Sequence, residues 1–498
     1  MLDLWLVSSS CLQHVAEVSY SHAPLTDHKL ITLHLTGSYE KNNNVRGYWK
    51  LNTNLIKNEF FQSSVKLLAQ DIFSRPEMNN IQKWEYFKFK IRETAIKCSK
   101  DIKKASDRKE KAILDILEPL LKKDNLSDTE QAKLLELQND MDDLCTEAAK
   151  GAFIRSRARW LEKGERNSSY FFALEKRNKK RNAMSALKIN DQVNTDPKDI
   201  AEYVSSFYSR LYKTNFDSYN CDEFFDNFKQ FAPTISAQFK DNCDKPISNT
   251  ELVEALRHMK SGKSPGIDGL STEFYSFFWD IIETPLMNMF KECIENNEMS
   301  TTMKQGLINL IPKPNKDPLL VENWRPITLL NTDYKLFALV FARRLKKDLS
   351  EIISETQTGF MTNRHISNNI RLVLDLIDYS EHIESNAIIV FLDFFKAFDT
   401  VEHPFIFKAL EIIGFGTYFS SVVKMLYKEI NSNVLLYPNT SKRFPVERSV
   451  RQGCPISPFL FLIAAEFLSL IILNSTNIKG LSIFQREIRI IIYNTTSR

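Results

Sequence analysis

The stretch AIIVFLDFFKAFDTVEHPF, residues 387–405, decides how this chain is read. Residues 387–392 form a continuous apolar run, the pattern of a strand buried on both faces. The run stops at Asp393. A carboxylate at the carboxyl end of a buried strand stands where α/β sheets place ligand-meeting groups. Such an Asp suits Mg²⁺, which takes one or two carboxylates together with substrate phosphates. One carboxylate does not build a two-metal centre, so a second source is required. Asp399 reads two ways, as a functional carboxylate or, with Glu402 three residues on, as the N-cap of the next helix.

Upstream lies LINLIPKPNKDPLLVENWRPITLLNTDYKL, residues 307–336. Its apolar run ends at Ile311 and is followed by Lys313, Lys316 and, after a loop, Arg325, with Pro312, Pro314 and Pro318 stiffening the turn. Cations on a rigid loop suit a polyphosphate or a nucleic-acid backbone, and Arg binds phosphate bidentately. The same residues also make a solvated basic hairpin. Downstream, SVRQGCPISPFLFLIAAEFLSLII (449–472) places Arg451, Gln452 and Gly453 before a Pro-rich helix start. Gly453 lets the backbone approach a ligand closely, and the Gln452 amide is a donor and acceptor there; a plain turn is the alternative. SGKS (261–264) imitates the end of a phosphate-binding P-loop. Arg257 stands where that motif needs glycine, and Pro265 stands where its helix begins, so a Gly/Pro turn feeding a helix is the better reading. Phe274, Phe278 and Trp279 then face inward.

Helical patterns at 250–260, 271–296, 332–350, 365–383, 404–413 and 457–473 alternate with apolar runs at 307–311 and 387–392, a mixed architecture. The run FLFLIAAEFLSLIIL (459–473) has Glu466 in its middle and is too short for a membrane span. Residues 1–36 carry short β-type runs (LWLVSS, LITLHL), residues 50–230 read as helical, and 215–245 reads as a linker. Charge comes in blocks: residues 88–111 hold ten Lys/Arg against four Asp/Glu, 112–148 three against ten, and 150–181 eleven against three. The whole-chain net charge of +4 thus hides two basic surfaces around an acidic insert. In that insert Ile113, Leu117 and Leu120, the turn KKDN, a Ser127–Glu130 capping box, and Leu134, Leu137, Met141, Leu144 and Ala148 predict a helical hairpin. In KGAFIRSRARWLEKGERNSSYFFALEKRNKK (150–180), Arg155, Arg159 and Arg166 interleave with Trp160, Tyr170 and Phe171. Phosphate contacts plus base stacking are what single-stranded nucleic acid binding uses, and a plain basic helix is the alternative.

The length of 498 residues allows about three domains. Thirteen Gly and seventeen Pro exclude a collagenous or low-complexity chain. Seven scattered cysteines without a CxxC argue against a zinc site or disulfide framework and fit a reducing, intracellular compartment. The N-terminus MLDLWLVSSS lacks the basic region of a signal peptide.

Taken together these segments resemble the reverse transcriptases of LINE-type (non-LTR) retrotransposons. GKSPGIDGLSTEFY, IPKPNKD with NWRPI, TGF with Arg364, FLDFFKAFD and RQGCPISP stand in that family's order over residues 45–493. The resemblance implies an α+β, mixed fold: right-hand polymerase fingers (246–356) and a partial palm (357–498), preceded by a mainly helical extension (37–245). Residues 1–36 resemble the end of an endonuclease domain, with Asp27 and His28 matching its terminal pair. Asp393 matches the first metal-binding aspartate and Phe394 contributes a carbonyl to Mg²⁺. Phe398 matches the aromatic gate against a ribose 2′-OH, Lys313 and Arg325 the basic region around the triphosphate, and Gln452 and Gly453 the motif against nucleotide and template. Arg155, Arg159, Trp160, Arg166 and Tyr170 fall in the extension that contacts RNA. The implied partners are an RNA template, a DNA primer and deoxynucleoside triphosphates, with no membrane. Where the family carries Tyr-x-Asp-Asp, this sequence reads Tyr493-Asn494-Thr495-Thr496. The expectation is therefore an element truncated at both ends and catalytically incomplete. The alternatives are a non-catalytic nucleic-acid-binding remnant, and a helical interaction protein built on residues 88–150.

Overall fold

The computed structural model describes residues 7–22, 29–36, 48–121, 123, 126–156, 184–384, 388–392, 394–436, 439–475, 477–478, 480–483 and 486–488. The fold is mixed, and 58% of the described residues are helical. It divides into two compact units, Met1–Arg46 with Ala95–Met184, and Gly47–Thr94 with Ser185–Arg498.

In the first unit Val15–His22 and Lys29–Leu35 pair antiparallel, Val15 opposite Leu35 and His22 opposite Lys29. LITLHL is the body of the second strand. LWLVSS forms no strand among its described residues, and a short helix begins at Ser9 instead. The acidic insert is the expected helical hairpin. Ile113 and Leu117 pack with Leu137 and Met141, and Leu120, Leu134 and Leu144 flank them. The capping box is present: the Ser127 N–H donates to Glu130 at 3.0 Å, and the Glu130 N–H donates to the Ser127 hydroxyl at 3.4 Å. Lys123, 2.6 Å away, and the Ser127 donors hold the Glu130 carboxyl down to about 2.

The second unit is organised on a five-stranded sheet. Gln305–Pro312 lies antiparallel to Trp324–Leu329 on one side and parallel to Asn431–Leu436 on the other. Asn439–Thr440 and Phe444–Pro445 both pair with Asn431–Leu436. This pairing corrects the expectation for 387–392. Its described residues, 388–392, form no strand, and Ile388 and Phe391 are 86% and 85% exposed. A buried strand needs a ladder on its edges and cover on its faces. Both edges of the central strand Gln305–Pro312 are already taken, and the apolar run finds no ladder among the described residues.

The linker reading of 215–245 is also corrected. Ser218–Phe228 and Ala237–Asp244 are helices. Phe225 is buried 4.9 Å from Phe405 and 5.0 Å from Phe467, and Phe239 packs 5.5 Å from Phe415. What looked like loop composition is an aromatic inner face with Asp and Asn outside. Within the helical stretch a small hairpin, Leu187–Ile189 with Gln192–Asn194, turns on Asn190 and Asp191, both at positive φ, the conformation that tight hairpins demand. The helix read at 271–296 is two, Thr272–Phe277 and Trp279–Glu295. Phe274 and Phe278 are buried as expected. SGKS is an ordinary turn whose Gly262 N–H donates to Glu273 at 2.5 Å.

Residues 47–94 are built into this unit. The Leu51 N–H donates to Gly269 C=O at 3.0 Å, and Trp49 covers Gly269 so closely that a Cβ there would lie 2.2 Å from its ring. Trp84 donates from Nε1 to Asp333 at 3.0 Å. Lys88, 3% exposed, places its ammonium 2.7 Å from Asp333, 3.0 Å from Glu85 and against the Thr302 hydroxyl.

Ser457–Asn474 has 18 residues and a mean hydropathy of 1.9, so it is longer than expected and reaches the length and composition of a membrane span. Its Leu460, Ile463 and Phe467 are buried, and Phe467 stacks edge-on to Phe405 at 6.0 Å, the packing of a core helix. Burial pushes the Glu466 carboxyl up to about 7, against a backbone hydrogen bond from Ser354 and the charge of Arg364. A carboxyl whose folded value lies above its unfolded one stabilises the fold below the unfolded value, and that contribution is lost as pH rises through the folded value. The window here runs from about 4.5 to about 7. Glu466→Gln should flatten the decline of the denaturation midpoint across that window; an unchanged pH profile would refute it.

Candidate nucleotide site

Three segments far apart in sequence meet beside the strand Trp324–Leu329. The Thr328 N–H in Trp324–Leu329 donates to Gln452 C=O at 2.8 Å. Gly453 sits at φ +119°, and a Cβ on it would lie 2.4 Å from the Thr328 carbonyl oxygen. The close approach expected of Gly453 is therefore made, in this structure, to a strand backbone. The Val450 N–H donates to Phe398 C=O at 2.8 Å, and the Phe398 ring stacks on Phe461 at 4.6 Å. Arg451 is structural: it is 2% exposed, donates to Lys304 C=O at 2.6 Å and lies over Tyr334.

Asp399 is the centre of this meeting, and the N-cap reading of it is corrected. The helix His403–Ile413 is capped by Glu402, which makes no side-chain cap bond. Asp399 turns inward to 3% exposure and accepts from the Tyr212 hydroxyl at 3.1 Å. The Gln452 side-chain nitrogen lies 3.5 Å from each of its oxygens. Burial pushes the Asp399 carboxyl up to about 6, opposed by the Tyr212 hydrogen bond and the charges of Lys396 and Lys313. Glu402 accepts instead from the Thr214 hydroxyl at 2.7 Å and pairs with Arg448 at 3.4 Å. Residues 212–215 are thereby stitched to residues 399–402.

Lys396 adopts φ +48° and lays its ammonium over Phe207, 4.5 Å from the ring centroid, without a hydrogen-bond partner among the described residues. Burial lowers its pKa, against the charge of Asp399. Lys313 and Arg325 sit at the turn end of the hairpin, three residues along the strand from Thr328, Ile311 pairing with Arg325 and the Lys313 N–H donating to Asn323 C=O at 2.8 Å. Lys313 is half-buried and Arg325 exposed.

Of the remaining expected site residues, Asp393 lies outside the described residues, and its neighbour Phe394 is 45% exposed. Arg155 falls in the helix Asp128–Ser156. Arg159, Trp160, Arg166, Tyr170, Asp27 and His28 lie outside the described residues. Among the described residues no group of three His, Cys, Asp or Glu is placed to hold a metal. Sequence reasoning missed Tyr212 and Lys396. Lys396 stood inside a motif already singled out, whereas Tyr212, 187 residues from Asp399, carried no signal.

Residues 311–493 match the reverse transcriptase (RNA-dependent DNA polymerase) family. The transposon TX1 uncharacterized 149 kDa protein of Xenopus laevis is 30% identical over 99% of this chain and 37% of its own length. The Pol polyprotein of the type-1 retrotransposable element R2 of Popillia japonica is 28% identical over 44% of this chain and 29% of its own. Residues 311–493 are a reverse transcriptase domain of the non-LTR retrotransposon type. The RNA-directed DNA polymerase from the mobile element jockey of Drosophila melanogaster is similar too, 24% identical over 51% of this chain and 29% of that protein. The chain thus spans well under half the length of these relatives. The family match covers Lys313, Arg325, Asp393, Phe398, Gln452 and Gly453 and leaves out Tyr212 and the 150–181 block.

Proposed function

We propose that this chain is the part of a retrotransposon RNA-directed DNA polymerase that holds template, primer and incoming deoxynucleoside triphosphate. The observation that carries the reading is the convergence on one place of Gln452 and Gly453, which meet Thr328, of Phe398, which accepts from the Val450 N–H, and of Asp399, which lies against the Gln452 amide and feels the charge of Lys313. Lys313 and Arg325 neutralise the triphosphate, Phe398 screens the sugar, and Gln452 contacts the nucleotide. Residues 246–356 act as fingers and 357–498 as palm. A divalent metal, normal for this family, would be held by Asp393 and the Phe394 carbonyl and would supply charge stabilisation at the transferred phosphoryl group. Tyr493 is followed by Asn494, Thr495 and Thr496, neutral side chains that offset no metal charge, so binding outlasts chemistry in this chain. The basic block at 150–181 engages RNA through phosphates and stacked bases.

Two measurements test this. Filter binding of single-stranded RNA should weaken steeply between low and high salt. Arg155→Ala and Arg159→Ala should each weaken it with little sequence dependence. Salt-independent binding would refute the electrostatic reading. Primer extension on an RNA template, with Mg²⁺ or Mn²⁺, should be undetectable with this chain, and robust extension would overturn the incomplete-centre reading.

A further inference from the structure

We infer that Asp399 is a positioning residue, one that aims the Gln452 amide at the nucleotide while Tyr212 holds the carboxylate in place. This rests on the nucleotide-site reading above. Asp399 is 3% exposed, its two oxygens meet one hydroxyl and one amide, and among the described residues no guanidinium or ammonium forms an ion pair with it. Lys396, the nearest cation in sequence, directs its ammonium over the Phe207 ring. A buried carboxylate in that setting is costly as a packing element, and a neutral side chain would fill the space with less penalty.

What a carboxylate alone provides is polarity. It accepts only, whereas an amide both donates and accepts. With Nε2 of Gln452 facing both Asp399 oxygens at 3.5 Å, Oε1 is left to face away. The outward atom is then an acceptor, fitted to a hydroxyl or amino hydrogen of a nucleotide. The backbone of Gln452 is already pinned, since its carbonyl takes the Thr328 N–H at 2.8 Å and Gly453 abuts the Thr328 carbonyl. The side-chain torsions are the remaining freedom, and Asp399 removes it. The Tyr212 hydroxyl, at 3.1 Å, fixes Asp399 from behind, so a residue of the Pro197–Leu211 helix boundary acts on the site at two removes.

The test is a double-mutant cycle read by calorimetric binding of a non-hydrolysable thymidine triphosphate to the full chain on an oligo(dT)–poly(rA) duplex. Gln452→Ala should weaken binding, and Asp399→Ala should weaken it about five-fold. The double variant should lose no more than Gln452→Ala alone. Asp399→Asn, which is isosteric but permits both amide orientations, should fall between wild type and Asp399→Ala. An equal loss from Asp399→Ala in both backgrounds would mean a merely structural role and overturn the inference. If Gln452→Ala leaves affinity unchanged, or the wild type takes up no nucleotide, the nucleotide-site reading fails by itself. Crystal structures of Asp399→Asn and Asp399→Ala then decide the positioning: a reoriented Gln452 amide supports it, and an unmoved one in both refutes it.

Discussion

Replacing Lys88 with Met should lower stability by about 3–5 kcal/mol, the usual effect of removing one partner from a buried ion pair. Lys88 is 3% exposed, and Asp333, 2.7 Å away, has no exposure at all. Burial works against the Lys88 charge, yet Asp333, Glu85 and Asp268 together keep its pKa raised. Without the ammonium, Asp333 retains the Trp84 indole at 3.0 Å and the Tyr334 N–H at 2.7 Å, neither of which neutralises it. Asp268, already pushed up to about 7 by burial and by the charge of Asp333, would lose its opposing cation. The urea midpoint is the readout. Lys90→Met, which removes an exposed pair with Glu93 on the same helix, should leave it unmoved. Equal midpoints for the two variants would show that the buried cluster is not what anchors residues 80–94.

The second large effect is expected from Gly453→Ala. At φ +119° an L-residue is strained by about 1–3 kcal/mol. Here the new Cβ would also lie 2.4 Å from a backbone oxygen of the central sheet, which does not yield as a flexible side chain does. The turn must move, breaking the 2.8 Å bond from Thr328 to Gln452. A displacement of about an ångström at a positioning group weakens function by about 10²-fold in comparable sites. Nucleotide affinity should fall on that scale, and amide exchange at Thr328 should accelerate. Gly262→Ala is the control. Its φ of +72° is also left-handed, but nothing lies within 4 Å of its Cβ, so only local strain is expected and nucleotide affinity should hold. Loss of affinity in both variants would trace the effect to general destabilisation.

Much of the architecture was legible because it depends on local pattern. The 3-4 spacing from Ile113 to Leu144, closed by Ser127 and Glu130, predicted a helical hairpin, and those leucines pack in it. The ordered motifs from GKSPGIDGLSTEFY to RQGCPISP predicted the family, which the similarity at residues 311–493 shows. Failures came where a residue's role depends on what a distant segment does. Residues 215–245 read as a linker because they are rich in Phe and Asp with turn signals, while the Phe405 and Phe467 rings that bury Phe225 lie 180 and 242 residues on. Residues 387–392 read as a buried strand because six apolar residues in a row suit one, yet strand formation requires an edge to pair with.

The sequence by itself determined the family, the alternation of helix and short strand, and the acidic hairpin between basic blocks. Each follows from residue type, spacing or motif order, which the chain carries at short range. Only the tertiary structure decided that Asn431–Leu436 takes the parallel edge of the sheet, that residues 47–94 are locked in by Lys88 and Asp333, and that Asp399 turns inward to Tyr212 and Gln452. Those outcomes turn on which buried charges and donors find partners across 53 to 245 residues of chain. A buried polar group is stable only with such a partner, and no local pattern names one.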